Sequence, residues 1–157
     1  MKLTCKQKTE LLNRMCISAE KGNLANAGMV LEDQRVIAVA ESWVVSSCDA
    51  TAHSERMLVS TVCNLKNSNY TPGLTMITVV EPCLMCISAC FQAGYKEIGY
   101  IIPAEKYIET VPWMSDVSGV KKVDIVSNMN NKIHLVHMNQ YENEFCKSFE
   151  KCMSGNF

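Results

Sequence analysis

Asp49-Ala50-Thr51-Ala52-His53-Ser54-Glu55 and Glu81-Pro82-Cys83-Leu84-Met85-Cys86 are the two stretches on which the reading of this chain turns. Together they offer one imidazole, two thiols that can ionise, and a carboxylate that need not touch a metal. Those are the parts of a hydrolytic zinc site: three protein ligands, an open fourth position for water, and a nearby proton carrier. Cys83 and Cys86 are three apart, so on the first turn of a helix they share a face. Pro82 fits the start of that helix, where its missing N–H costs nothing. The positive end of the helix dipole favours the thiolate form that zinc needs. His53 is expected at the head of a second helix, just after a cap supplied by Asp49 or Thr51. Glu55 lies two residues beyond, and side chains two apart on a helix do not face one another. It is therefore expected to stand beside the metal and carry protons rather than to ligate.

Three plainer readings compete. A lone Cys-x-x-Cys can be a thioredoxin-like redox pair, but that leaves His53, Glu55 and Pro82 without a role. It can be half of a structural zinc site, but no second Cys-x-x-Cys is present to close one. It can also match by chance and bind nothing.

Outward from these motifs, strands and helices alternate. Apolar residues from Leu3 to Ala19 recur at helical spacing, and Lys21-Gly22-Asn23 reads as the stop. Ala27–Leu31 and Arg35–Ala40, around the polar turn Glu32-Asp33-Gln34, predict an antiparallel hairpin. Trp43–Cys48 reads as loop. Leu58, Val62 and Leu65 give the helix after His53 its buried stripe, and Asn67-Ser68-Asn69 ends it. Leu74–Val80 predicts a buried strand, Cys83–Ala93 an apolar helix, Ile98–Ile102 a strand, and Ala104–Ile108 a short helix. Ile133–Met138 predicts a last strand. Gln140–Cys152 predicts an amphipathic helix with Tyr141, Phe145 and Phe149 on one face. Residues 109–131 are the least regular part, with Val123-Asp124-Ile125-Val126 as a candidate extra strand. An irregular insert of that length near a site is often a lid. The pattern predicts an α/β fold with a mostly parallel sheet covered on both faces, made mixed by the opening hairpin. The gap from His53 to Cys83 holds a helix, a turn and a strand. Both motifs can thus reach one end of the sheet, where open α/β folds place their sites.

The whole chain sets wider bounds. Its 157 residues are 48% apolar and 20% charged, and are expected to form one domain over 1–157. A formal net charge of −1 argues against a large nucleic-acid footprint. No apolar run approaches the roughly 18 residues of a membrane span, and no apolar core follows the basic N-terminus, so the expected location is cytoplasmic. Nine cysteines in a chain of this size do not suggest a disulfide scaffold. Cys5, Cys16, Cys63, Cys146 and Cys152 are expected as packed or surface thiols, and His134 and His137 as packing residues on the last strand.

His53-Ser54-Glu55 and Pro82-Cys83-Leu84-Met85-Cys86 resemble the zinc-dependent cytidine deaminase-like superfamily, in which the Glu moves protons and does not bind zinc. Their wording is similar to the bacterial guanine deaminase and tRNA adenosine deaminase branch, which writes Asp-Pro-Thr-Ala-His-Ala-Glu and Glu-Pro-Cys-x-Met-Cys. The resemblance implies a three-layer α/β/α fold with a five-stranded mixed sheet, a homodimer, and one zinc ion per chain. His53, Cys83 and Cys86 would hold the zinc and Glu55 would be catalytic. Ala52, Ser54, Glu81 and Pro82 would line the substrate.

Departures from that branch fall on the pocket walls. Ala50 stands where the branch has Pro, and Ser54 where it has Ala. Ser42 occupies the place of an Asn that hydrogen-bonds the base, and a hydroxyl supplies only half of an amide's pairing. Asn26, in Ala25-Asn26-Ala27-Gly28, stands where guanine deaminases carry an aromatic wall, and is expected to offer polarity to the substrate. Asp116, Glu142 and Glu144 are the acidic candidates for a late-loop or C-terminal contact. Trp113 reads either as a stacking surface for a planar ligand or as a packed anchor.

The expected function is zinc-dependent hydrolytic deamination of guanine or another purine-like base or nucleoside. The tRNA adenosine deaminases usually end in an Arg-rich helix, whereas here Lys147 and Lys151 are mixed with Glu142, Glu144 and Glu150. Editing of tRNA is therefore the second reading. A deaminase fold that binds without catalysis is the third.

Overall fold

Thr4 opens the first helix with a capping box. Its Oγ1 accepts from the Gln7 N–H at 3.2 Å, and the Gln7 side chain accepts from the Thr4 N–H at 2.8 Å. Helix α1 (Cys5–Glu20) then runs to Lys21, and Gly22 takes the positive φ of 78° that stops it. In the computed structural model, residues 1–111, 121–130 and 133–155 are described. Strands β1 (Ala27–Glu32) and β2 (Arg35–Glu41) form the expected hairpin, with Asp33 and Gln34 both at positive φ. That is the conformation a tight hairpin turn with right-handed twist requires.

Helix α2 (Ser54–Leu65), strand β3 (Thr75–Val80), helix α3 (Leu84–Gln92) and strand β4 (Glu97–Ile102) follow. A single 3₁₀ turn covers Ala104–Lys106; helix α4 (Lys122–Ser127), strand β5 (His134–His137) and helix α5 (Glu142–Met153) complete the described elements. The strand order is β2-β1-β3-β4-β5, antiparallel across β2, β1 and β3 and parallel across β3, β4 and β5. This is the expected five-stranded mixed sheet.

Alternation along the strands sorts the core into two halves. Met29, Leu31, Ile77 and Val79 face α1 and α5, where they meet Leu11, Met15, Phe145 and Phe149. Val30 and Met76 face α2 and α3, where they meet Leu58, Val62, Ile87 and Cys90. Helices thus cover both faces. Gly28 lets α2 approach closely: a Cβ there would lie 3.0 Å from Leu58 Cδ1 and from the Ile77 carbonyl.

Three expectations fail. The segment Val123–Val126 is helical, part of α4, because only Val126 is buried while Val123 is exposed. A period of 3.6 with one inward residue fits that burial; a strand does not. Cys16 and Cys152 are joined as a disulfide that ties α1 to α5, and are not separate thiols. Their positions near the ends of two packed helices bring the sulfurs together, a proximity that spacing in sequence does not reveal. Thirdly, neither Asp49 nor Thr51 caps α2. Asp49 Oδ1 instead accepts from the N–H and hydroxyl of Thr51, both at 2.7 Å, and closes a local turn.

Candidate active site

His53 is itself the N-cap of α2, and Cys83 is the N-cap of α3. Both have extended backbones, and neither side chain caps its own helix. The imidazole and the thiol are thus left to face each other, with Cys83 Sγ 3.7 Å from His53 Nδ1. Cys86, buried one turn into α3, completes the group. One ligand atom from each of the three lies within 4.8 Å of the others. Zinc with Zn–S of about 2.3 Å and Zn–N of about 2.1 Å at a tetrahedral angle needs sulfur and nitrogen about 3.6 Å apart. The donor set fits a zinc ion in chemistry, and the 3.7 Å between Cys83 Sγ and His53 Nδ1 fits it in spacing.

The thiols behave as a pair that shares a proton. The hydrogen bond from Cys86 pulls the Cys83 thiol down to about 4, against burial and with help from His53. The same bond, together with burial, pushes Cys86 up. His53 is raised by its bond to Cys83, against burial. A cation among these atoms would take the place of the shared proton.

The loop leading to His53 is held from behind by Asn23, which is fully buried. Its Oδ1 accepts from the N–H groups of Val45 and Ser46 at 2.8 and 3.0 Å, and its Nδ2 donates to Ser46 Oγ at 2.9 Å. Trp43 donates its backbone N–H to the Ala52 carbonyl at 3.0 Å, and Lys21 lies over the Trp43 ring at 4.0 Å. These contacts close the loop on the end of α1 and fix where α2 begins.

Glu55 is buried, its side chain turned away from bulk water. Burial pushes its carboxyl up, opposed by the hydrogen bond from Ser54. Ser54 Oγ donates to Glu55 Oε2 at 2.8 Å, and Asn26 Nδ2 lies 3.2 Å from Ser54 Oγ and 3.3 Å from the same carboxylate oxygen. Asn26 Oδ1 accepts from the Val80 N–H at 3.0 Å, with the Thr78 hydroxyl 3.3 Å away.

The structure therefore brings together His53, Cys83, Cys86, Glu55, Ser54 and Asn26. It does not aim Asn26 outward as a substrate contact: its amide is engaged by Ser54, Glu55, Val80 and Thr78. Ser42 is buried beside it and donates its N–H to the Asn26 carbonyl at 3.0 Å. Ala52 and Pro82 are buried next to the two ligand-bearing caps. Glu81 is used by the scaffold. Its Oε2 accepts from the Ala104 N–H at 3.0 Å, and its Oε1 pairs with Lys122 at 3.4 Å, which ties the end of β3 to the 3₁₀ turn and α4. Glu142 pairs with Lys106 and His137 at 2.6 and 3.0 Å, and Glu144 with Lys8 at 3.0 Å. Trp113 and Asp116 lie outside the described residues. Sequence reasoning missed Thr78 and the Val80 N–H, which orient Asn26. The only signal for them is Thr78, one of two threonines in an otherwise apolar strand.

Comparison with known proteins agrees with this geometry. Residues 5–102 match the family model of the cytidine and deoxycytidylate deaminase zinc-binding region. The chain is 30% identical over 79 residues to a tRNA-specific adenosine deaminase of Aquifex aeolicus (strain VF5), covering 50% of this chain and 52% of that protein. It is 29% identical over 72 residues to a guanine deaminase of Bacillus subtilis (strain 168), covering 46% of each. The matched region thus spans about half the length of these relatives. The X-ray structure of guanine deaminase from Bacillus subtilis superposes with a TM-score of 0.64 at 19% identity, over 99% of this chain and 96% of that one. That likeness shows the cytidine deaminase-like fold. With its family match covering both ligand motifs, the chain belongs to the cytidine and deoxycytidylate deaminase zinc-binding family.

Proposed function

We propose that the protein is a zinc-dependent hydrolytic deaminase of a small aminated heterocycle, guanine or another purine-like base or nucleoside. The observation that carries this is the three-donor group of His53, Cys83 and Cys86 with a buried carboxylate, Glu55, held beside it. Zinc held there would bring a bound water's pKa to about 7. The overall change adds water across the C–N bond of a cyclic amidine: a C–O bond forms, the exocyclic C–N bond breaks, and ammonia leaves. Glu55 would take one proton from water and pass it to a ring nitrogen, then take the second from the added hydroxyl and pass it to the departing amine. Its burial supports that task, because a raised carboxyl holds a proton more readily at neutral pH.

Editing of tRNA is the second reading, favoured by the similarity to the Aquifex aeolicus enzyme. The helix α5 argues for the small molecule, because its lysines alternate with Glu142, Glu144 and Glu150, and Glu142 and Glu150 are engaged by Lys106 and Tyr107. A cytoplasmic homodimer completes the proposal; the exposed Leu65 and Tyr70, at the end of α2 and beyond it, support a surface that a second copy covers. Among the described residues no helix is long and apolar enough to cross a membrane.

The test is ammonia release from zinc-loaded protein offered guanine, adenine, cytosine, their nucleosides and nucleotides, pterins, triazines and tRNA. Release from a purine base or nucleoside is expected. Release from tRNA alone would select the second reading. Stoichiometric zinc with no release from any of them would leave a protein that binds without catalysis.

A further inference from the structure

Asn26 stands just before β1 and Ser54 on the first turn of α2, yet the two share one carboxylate oxygen. We propose that Asn26 and Ser54 are positioning residues that clamp Oε2 of Glu55, leaving Oε1 as the oxygen that exchanges protons with the reactants. The inference rests on the deaminase reading for its catalytic consequence, but the clamp itself is a property of the folded chain.

The orientation of the Asn26 amide is fixed by its neighbours. The Val80 N–H can only donate, so the atom 3.0 Å from it must be Oδ1. The amino end then faces Ser54 Oγ at 3.2 Å and Glu55 Oε2 at 3.3 Å. Ser54 has one hydroxyl proton. Its oxygen accepts from Asn26, and its proton is directed to Glu55 Oε2 at 2.8 Å. Oε2 therefore receives two hydrogen bonds from groups that can only be donors in this arrangement. A proton placed on Oε2 would lie along one of those directions, so the carboxyl proton belongs on Oε1.

Burial makes the clamp strong. Asn26, Ser54 and Glu55 are 5%, 0% and 2% exposed, so no bulk water replaces a lost bond, and hydrogen bonds to a charged group are the stronger kind. The chain anchors the clamp at three points: the entry to β1 through Asn26, β3 through Val80, and α2 through Ser54. Rotation of the Glu55 carboxylate would break bonds to two of them. A general acid–base group works only from a fixed position near its proton.

The experiment uses the zinc-loaded protein and three substitutions: Ser54→Ala, Asn26→Asp and Glu55→Gln. Asn26→Asp keeps the acceptor for the Val80 N–H and replaces the amide donor toward Glu55 with a second carboxyl oxygen. The first readout needs no substrate. The infrared band of the Glu55 carboxyl group, assigned by its loss in Glu55→Gln, is expected to shift in both Ser54→Ala and Asn26→Asp. The second readout is kinetic. Each variant is expected to lose about 10- to 100-fold in kcat, the worth of one hydrogen bond to a charged partner, with KM within about twofold and zinc content unchanged. Introduced into Glu55→Gln, the same substitutions are expected to have no further effect. An unmoved band, wild-type kcat in Ser54→Ala, or an equal loss in the Glu55→Gln background would overturn the proposal. If the band shifts while the wild type releases ammonia from no substrate, the clamp stands and the deaminase reading falls.

Discussion

The candidate site has two sides that the chain builds in opposite ways. His53, Cys83 and Cys86 sit at the heads of two helices, partly exposed or one turn deep, and their side chains are left unused by the capping of those helices. Glu55 and its partners are enclosed by sheet and helix, and every one of them is buried. On the proposed reading, one side is left open for an ion, whereas the other is finished by the fold alone. A metal ligand must keep its lone pair available until metal binds. A proton carrier must be held still before the substrate arrives.

The contrast can be broken by substitution. Cys83→Ala has the largest expected effect. Two ligands hold zinc poorly, so ammonia release should fall to background, and a fully active variant would show that the ligand side is misread. Glu55→Gln comes next: turnover should drop by about 10²–10⁴ while bound zinc stays at the wild-type level. Parallel loss of zinc in that variant would merge the two sides into one. Gly28→Ala touches neither side directly. It presses a Cβ against Leu58 and the Ile77 carbonyl and should cost about 1–3 kcal/mol of stability in a denaturant titration, with the zinc content of the folded protein unchanged.

The smallest effect belongs to Glu41, at the end of β2, which pairs with Arg14 at 3.2 Å and Lys21 at 2.9 Å. Glu41→Gln should cost at most about 1 kcal/mol near neutral pH, since both cations are partly exposed. Burial pushes the Glu41 carboxyl up, but hydrogen bonds from Lys21 and Arg14 outweigh it and hold it below its ordinary value. Its contribution is therefore complete above the unfolded value of about 4.3 and is lost as pH falls through the lower folded value. The stability difference between wild type and Glu41→Gln should vanish in that acid range. A difference that grew on acidification would contradict the pairing.

The three-donor group was legible in the sequence because it is local. Cys83 and Cys86 carry their geometry in their spacing, and the different tasks proposed for His53 and Glu55 follow from their being two apart. The sheet was legible for the same reason: Ala27–Leu31, Leu74–Val80 and Ile98–Ile102 announce themselves by composition and by the turns that bound them. Helix heads were less so. Asp49 and Thr51 have capping side chains, but a turn between them used those groups first. The carboxylate side was visible only as two odd residues, Asn26 and Ser54, each read as a substrate contact. Nothing in sequence shows that residues so far apart meet at one oxygen, because that meeting depends on β1 pairing with β3 in the sheet against which α2 packs. The Cys16–Cys152 disulfide, between the first helix and the last, was hidden for the same reason.

The most direct test of the account is the zinc content of purified protein after expression with zinc, measured by elemental analysis for wild type, Cys83→Ala and Glu55→Gln. One zinc per chain is predicted in the wild type and in Glu55→Gln, and little or none in Cys83→Ala. Full zinc in Cys83→Ala, or none in the wild type, would contradict it.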